Sequence, residues 1–215
     1  MAQPLSLVVL ISGNGSNLQA IIDAIAQHQL QAEIKAVISN KVDAYGLTRA
    51  EKAHIPTRVF SRRDYPDQNA FDNALLQAIA AYSPNLVVLA GFMHKLGPAL
   101  VRYFMGRMIN IHPSLLPKYP GLHTHQRVLE AKDQRHGVSI HFVTEELDAG
   151  PIISQMSLSV RTEDTAESLQ QRVLQLEHRL YPETLRWFEQ KRINFMGGKI
   201  WMDGKPLSDT GCRVD

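Results

Sequence analysis

Leu5-Ser6-Leu7-Val8-Val9-Leu10-Ile11-Ser12-Gly13-Asn14-Gly15-Ser16-Asn17-Leu18-Gln19-Ala20-Ile21-Ile22 decides the fold class. Its first part is a short, nearly continuous apolar run, the pattern of a strand covered on both faces, and Leu5 to Ser12 reads as that strand. A glycine-rich break follows, after which Leu18, Ile21, Ile22 and Ile25 recur at helical spacing. Working outward, the pattern repeats. Ile34 to Ser39 is a second strand, Tyr45 to Ala53 a short helix, and Thr57 to Phe60 an extended segment. Phe71, Leu75, Ala78, Ile79 and Tyr82 mark another helix face, and Leu86 to Ala90 is again continuously apolar. This alternation predicts an α/β protein with a mostly parallel, open twisted sheet and helices on both faces.

The texture changes after about residue 108. Met108 to Ile111 is a short strand, followed by a loop punctuated by proline and glycine from Pro113 to Gly121. Gly137 to Val143 and Pro151 to Val160 are strand candidates flanking a turn at Glu145 to Gly150, which adds antiparallel structure to the C-terminal part. A long helix starts near Asp164, with Glu167 placed to complete its cap and Leu169, Val173, Leu176 and Leu180 as its apolar stripe. Pro182 is expected to kink or interrupt it. Residues 1–190 form one domain in this reading, and 191–215 a short ribbon and a frayed tail packed on the same domain.

Composition narrows the class. The chain has 215 residues, 44% hydrophobic and 20% charged, enough for a sizeable core without staples. Lys plus Arg number 23 against 21 Asp plus Glu, a net charge of +2, so nothing calls for nucleic acid as a partner. A lone Cys212 permits neither an internal disulfide nor a CxxC metal knuckle, and a reducing compartment is the default. The apolar run at Leu7 to Ile11 is too short for a membrane span and has no basic region before it. A soluble, cytoplasmic protein is the expectation.

Three stretches can carry chemistry. In Ser12-Gly13-Asn14-Gly15-Ser16-Asn17, glycines allow close backbone approach and the N–H groups at the helix start attract an anion. Leu18 stands where the dinucleotide fingerprint needs its third glycine, and the Gly-Lys-Ser/Thr ending of a triphosphate loop is missing. The loop therefore suits a single phosphate, and equally suits a tight turn capped by Ser16 or Asn17. In Asn110-Ile111-His112-Pro113, Asn110 and His112 share one face of a strand end, so an amide can hold an oxyanion while an imidazole carries a proton. Both side chains can also be satisfied by loop backbone. Asp148, in Leu147-Asp148-Ala149-Gly150-Pro151, either caps its own turn or is brought against His112, where it would orient the ring and favour its cation. His123 and His125 have ligand-like spacing without a third ligand run, so no metal site is expected. His141 reads as a half-buried structural residue, and no Gly-x-Ser-x-Gly elbow is present.

Four motifs taken in order, Val9 to Ile21, Leu89-Ala90-Gly91-Phe92-Met93, Asn110 to Pro117 and Glu146 to Pro151, closely resemble the phosphoribosylglycinamide formyltransferases, the folate-dependent glycinamide ribonucleotide transformylases of purine synthesis. The resemblance runs from about residue 5 to residue 190. Asn-x-His-Pro-Ser with a later Leu-Asp-x-Gly indicates the wider folate formyltransferase and hydrolase group, and the Gly-Asn-Gly-Ser-Asn loop narrows it. The appended RNA-facing domain of methionyl-tRNA formyltransferases and the leading regulatory domain of formyltetrahydrofolate deformylases do not fit a chain of this length.

The resemblance implies a Rossmann-like formyltransferase fold with folate and ribonucleotide in one cleft. It implies that Gly15, Ser16 and Asn17 bind the 5′-phosphate of phosphoribosylglycinamide and that Glu177 hydrogen-bonds its ribose. Met93, His94, Lys95 and Leu96, with Asn110 and the loop Thr144, Glu145, Glu146, Leu147 and Asp148, would bind 10-formyltetrahydrofolate, the co-substrate. Relatives commonly carry an arginine at the position of His94 and another near Gln68, and Arg62 and Arg63 lie close to the latter in sequence. Asn110, protonated His112 and Asp148 would be the catalytic set, working without a metal. The sequence leaves monomer and homodimer open. Competing readings are a formyltetrahydrofolate hydrolase, a formyltransferase acting on another amine, and a binding module without chemistry.

Overall fold

The computed structural model describes residues 3–214, which divide after Asn110 into two compact units. The first unit contains β1 (Leu5–Ile11), α1 (Ser16–Ala26), β2 (Ala32–Ser39), α2 (Tyr45–Lys52), β3 (Thr57–Val59), α3 (Gln68–Ala80), β4 (Leu86–Leu89), α4 (Pro98–Tyr103) and the start of β5 (Met108–His112). Its strands lie in the order β5-β4-β1-β2-β3, and every pairing is parallel. Central β1 explains the uninterrupted apolar run, because Leu7 to Ile11 are all 0% exposed. Each such side chain contributes about 1.5–3 kcal/mol on burial. Parallel pairing of Leu5 with Ala32 starts β2 two residues before the expected Ile34.

From β1 the chain moves to one side through β2 and β3, then returns to the other side as β4. The carboxyl ends of β1 and β4 therefore flank a reversal of strand order, the place where open α/β sheets hold ligands. Leu18, Ile21 and Ala24 form the buried face of α1, with Ile22 and Ile25 only half-buried at its margin.

The second unit adds α5 (Thr124–Glu130), β6 (Arg135–Phe142), β7 (Ile152–Ser159), α6 (Ala166–Glu189), the antiparallel ribbon β8 (Ile193–Met196), β9 (Lys199–Met202) and β10 (Lys205–Pro206), and finally β11 (Cys212–Arg213). β6 and β7 pair antiparallel, as the sequence implies. The described strands thus give the mixed, mostly parallel α/β architecture expected.

Several local expectations are corrected. The tail is not frayed: Cys212 and Arg213 pair parallel with Ser154 and Gln155 of β7. Gly211 makes the approach possible, since its φ is +67° and an added Cβ would lie 2.7 Å from the Ile152 carbonyl oxygen. The reciprocal cap of α6 joins Thr165 to Ser168, while Glu167 interacts with the Thr165 hydroxyl beside it. α6 also runs through Pro182 uninterrupted. The proline removes one helical hydrogen bond, but fully buried Leu180, Tyr181, Thr184 and Leu185 hold the helix around it.

Candidate active site

Two glycines shape the loop after β1. Gly15 takes φ +72° as the cap of α1, and an added Cβ would sit 2.6 Å from the Gly46 Cα. Gly46 in turn donates its N–H to the Gly13 carbonyl at 3.0 Å. Ser16 is half-buried and Asn17 buried at the first turn of α1, where backbone N–H groups lack helical partners. The cap makes no side-chain hydrogen bond, so the Gly15 backbone, rather than Ser16 or Asn17, turns the chain into the helix. Arg49 of α2 reaches this loop, donating from Nε to the Asn14 carbonyl at 2.9 Å and from Nη2 to Asn14 Oδ1 at 3.0 Å.

The end of β4 lies beside this loop in the same unit. Ser12 Oγ accepts the Met93 N–H at 2.7 Å and donates to Asn40 Oδ1 at 2.6 Å, tying the two strand ends together. Met93 is 65% exposed, an apolar side chain left uncovered at the ligand end of the sheet, whereas Leu96 is buried. Lys95 is exposed. His94 packs edge-on to Phe71, with ring centroids 4.6 Å apart, and its Nε2 is 3.0 Å from Gln68 Nε2. Gln68 also donates to Asp72 Oδ2 at 2.8 Å. Burial, against the pull of Asp72, lowers the His94 pKa and favours the neutral ring. The two positions noted in the sequence for their lack of arginine are therefore joined directly.

The second unit brings His112 and Asp148 together. Both side chains are 7% exposed, and Asp148 Oδ2 lies 3.4 Å from His112 Nδ1. The same oxygen accepts the Gly121 N–H at 2.8 Å. His112 Nε2 is 2.9 Å from the Tyr119 carbonyl, which can only accept, so that nitrogen carries a proton. Asp148 reaches this position from a left-handed backbone conformation, φ 52°, at the β6–β7 turn. A carboxylate on one ring nitrogen and an acceptor on the other suit an imidazolium.

His141 corrects the sequence reading, being 2% exposed rather than half-buried. Its Nε2 lies 3.8 Å from Asp148 Oδ1, and burial lowers its pKa, favouring the neutral ring. Within the turn, Thr144 Oγ1 donates to the Glu146 carbonyl at 3.1 Å, Glu145 and Glu146 are exposed, and Leu147 is 59% exposed. Half-buried Glu177 lies on α6 near Tyr181, whose hydroxyl pKa is raised by burial first and by Glu177 second. Half-buried Asn110 of β5 pairs with Leu89 of β4, and it lies two residues before His112, so the Asn110 and His112 side chains share a strand face.

Sequence reasoning missed the Gly121 N–H, the Tyr119 carbonyl, His141 and Arg49. The first two are backbone groups with no residue-type signature. For Arg49 the available signal was its position three residues after Gly46 on one helix face. His125, at the start of α5, points Nδ1 at His136 Nε2 across 3.0 Å. Among the described residues, no group of three or more His, Cys, Asp or Glu side chains is placed to hold a metal ion. Nor is any described helix long and apolar enough to cross a membrane.

His112 and Asp148 form a buried imidazole–carboxylate pair just beyond β5, a pairing chemically able to hold and move a proton. The chain belongs to the formyl transferase family, whose sequence model matches residues 5–185. It is 47% identical over 211 residues to phosphoribosylglycinamide formyltransferase of Escherichia coli (strain K12), covering 98% of this chain and 100% of that one. Its structure matches that of phosphoribosylglycinamide formyltransferase from Coxiella burnetii with a TM-score of 0.96 and 55% identity, covering 99% of this chain and 100% of the other. A stretch of 180 residues is 46% identical to trifunctional purine biosynthetic protein adenosine-3 of Bos taurus, covering 84% of this chain and 18% of that longer protein.

Proposed function

We infer that this enzyme transfers the formyl group of 10-formyltetrahydrofolate to the amine of phosphoribosylglycinamide, giving formylglycinamide ribonucleotide and tetrahydrofolate in purine synthesis. The full-length likeness to phosphoribosylglycinamide formyltransferases carries the reading. The pairing of His112 with Asp148 at 3.4 Å supports it chemically.

In the first unit, Gly15, Ser16 and Asn17 take the substrate phosphate, and Met93, His94, Lys95 and Leu96 take part in holding the folate. The exposed thioether of Met93 suits a flat heterocycle. In the second unit, Thr144 to Asp148 contribute to folate binding and Glu177 holds the ribose. The substrate amine resembles an α-amino group with a pKa near about 8, so a useful fraction is neutral at pH 7. It forms a bond to the formyl carbon, and the bond from that carbon to N10 then breaks. The amide of Asn110 and the Nε2–H of His112 stabilise the intervening oxyanion. The N–H now facing the Tyr119 carbonyl is the donor that the oxyanion takes. Asp148 stabilises the imidazolium and helps order a water that relays the proton from the amine to departing N10. Its compartment in this reading is the cytoplasm.

Tetrahydrofolate formation from 10-formyltetrahydrofolate, followed spectrophotometrically with and without phosphoribosylglycinamide, tests the assignment. Turnover should require the ribonucleotide. Release of formate in its absence would move the enzyme to the hydrolase reading.

A further inference from the structure

Arg49 stands outside every role assigned so far, yet two of its nitrogens hold the first loop and the third holds the helix that follows it. Nε and Nη2 hold the Asn14 carbonyl and side-chain oxygen at 2.9 and 3.0 Å, and Nη1 donates to Gln19 Oε1 at 3.1 Å. Gln19 is itself fixed, because its Nε2 donates to Asp23 Oδ1 at 2.9 Å. The guanidinium carbon lies over the Tyr45 ring, 4.8 Å from its centroid. Three residues earlier on α2, Gly46 donates to the Gly13 carbonyl and leaves no room for a Cβ on Gly15.

We propose that Arg49 is a positioning residue for substrate phosphate, holding the Gly13 to Asn17 backbone in its binding conformation before substrate arrives. This rests on the reading of that loop as the phosphate site. The argument is geometric. A loop with two glycines loses much conformational entropy when it is ordered, and a ligand that must order it binds more weakly. The planar fork of Arg49 grips both ends of one residue, Asn14, next to Gly15, and a lysine ammonium cannot reproduce that two-point grip. Its three nitrogens are engaged with Asn14 of the loop and Gln19 of α1, so Arg49 acts through the loop rather than as a phosphate ligand.

The test uses Arg49→Met and Arg49→Lys in the intact enzyme, with phosphoribosylglycinamide and its dephosphorylated riboside as acceptors. Arg49→Met should raise KM for the phosphorylated acceptor by about tenfold, the loss expected for hydrogen bonds from a charged donor. It should leave kcat and KM for 10-formyltetrahydrofolate near wild type, and impose little penalty on the riboside. Arg49→Lys should behave like Arg49→Met. Full recovery by lysine would reduce the role to charge and overturn the proposal. So would an equal penalty on both acceptors when wild type still prefers the phosphorylated one. If wild type does not distinguish the two acceptors, the phosphate reading itself fails, and the proposal with it. Should Arg49→Met fold poorly, Asn14→Ala removes one gripped oxygen while keeping the arginine. It should raise the same KM by a smaller factor, and an unchanged KM would overturn the proposal.

Discussion

Asp148 Oδ2 lies 3.4 Å from His112 Nδ1 while accepting the Gly121 N–H at 2.8 Å, so one carboxylate oxygen both faces the imidazole and ties down the loop before α5. The residues involved lie far apart in sequence, and the carboxylate is aimed by a left-handed turn rather than by a strand or helix. Orientation of the ring and closure of the loop are therefore coupled through a single side chain.

Asp148→Asn keeps the shape and removes the charge. The amide can still accept from Gly121, but it presents no anion to the imidazolium. A fall in kcat of about 10²-fold or more is expected, with the fold retained. Steady-state turnover alongside a circular dichroism melt checks this, and wild-type turnover would remove Asp148 from the mechanism.

Replacing His112 or Asn110 with alanine takes away one proposed oxyanion donor each. Either should lower kcat by about 10²–10³-fold with a smaller effect on KM, because a donor used mainly in the transition state contributes little to ground-state binding. If KM carried the whole loss instead, the residue would be a substrate-binding group and not an oxyanion donor.

Acid should loosen the second unit through His125 and His136. Burial lowers both pKa values, that of His136 to about 4, with the charge of His125 as its next cause. Their shared 3.0 Å contact needs one ring nitrogen to accept, and His136 Nδ1 is buried without a partner among the described residues. For a histidine whose folded pKa lies below its unfolded value of about 6.5, the unfolded chain binds protons first. Stability is then fully present above that value and falls as pH drops toward about 4. Urea unfolding across this range should show that slope in wild type and a shallower one in His136→Gln.

Gly150→Ala probes the turn that aims Asp148. An added Cβ would meet the Phe142 carbonyl oxygen at 1.8 Å, so the β6–β7 turn must open. A cost of about 1–3 kcal/mol is expected, from the overpacking alone. Activity should fall further than stability explains, because Asp148 moves with the turn. Chemical denaturation and turnover on one preparation separate the two effects.

The motifs were legible because each is local. The Gly13 to Asn17 loop follows an apolar strand and opens a helix, and Asn110 and His112 share a face through strand periodicity alone. Whether Pro182 interrupts its helix and whether Cys212-Arg213 forms a strand were not legible, because tertiary packing decides them. The first sits in a helix held by fully buried neighbours, and the second finds β7 far back along the chain. His141 was undervalued for the same reason, since a strand residue's burial depends on what covers its face.

By itself the sequence determined the α/β alternation, the position of the glycine-rich loop that opens α1 and the identity of the groups able to carry a proton. These follow from apolar periodicity, from glycine's backbone freedom and from side-chain chemistry, all properties of neighbouring residues. Only the tertiary structure decided that Asp148 meets His112, that the Tyr119 carbonyl occupies the other ring nitrogen, and that Arg49 grips Asn14. The first and third are contacts between distant segments and the second closes the loop that follows β5, so strand pairing and turn geometry fix them rather than local preference.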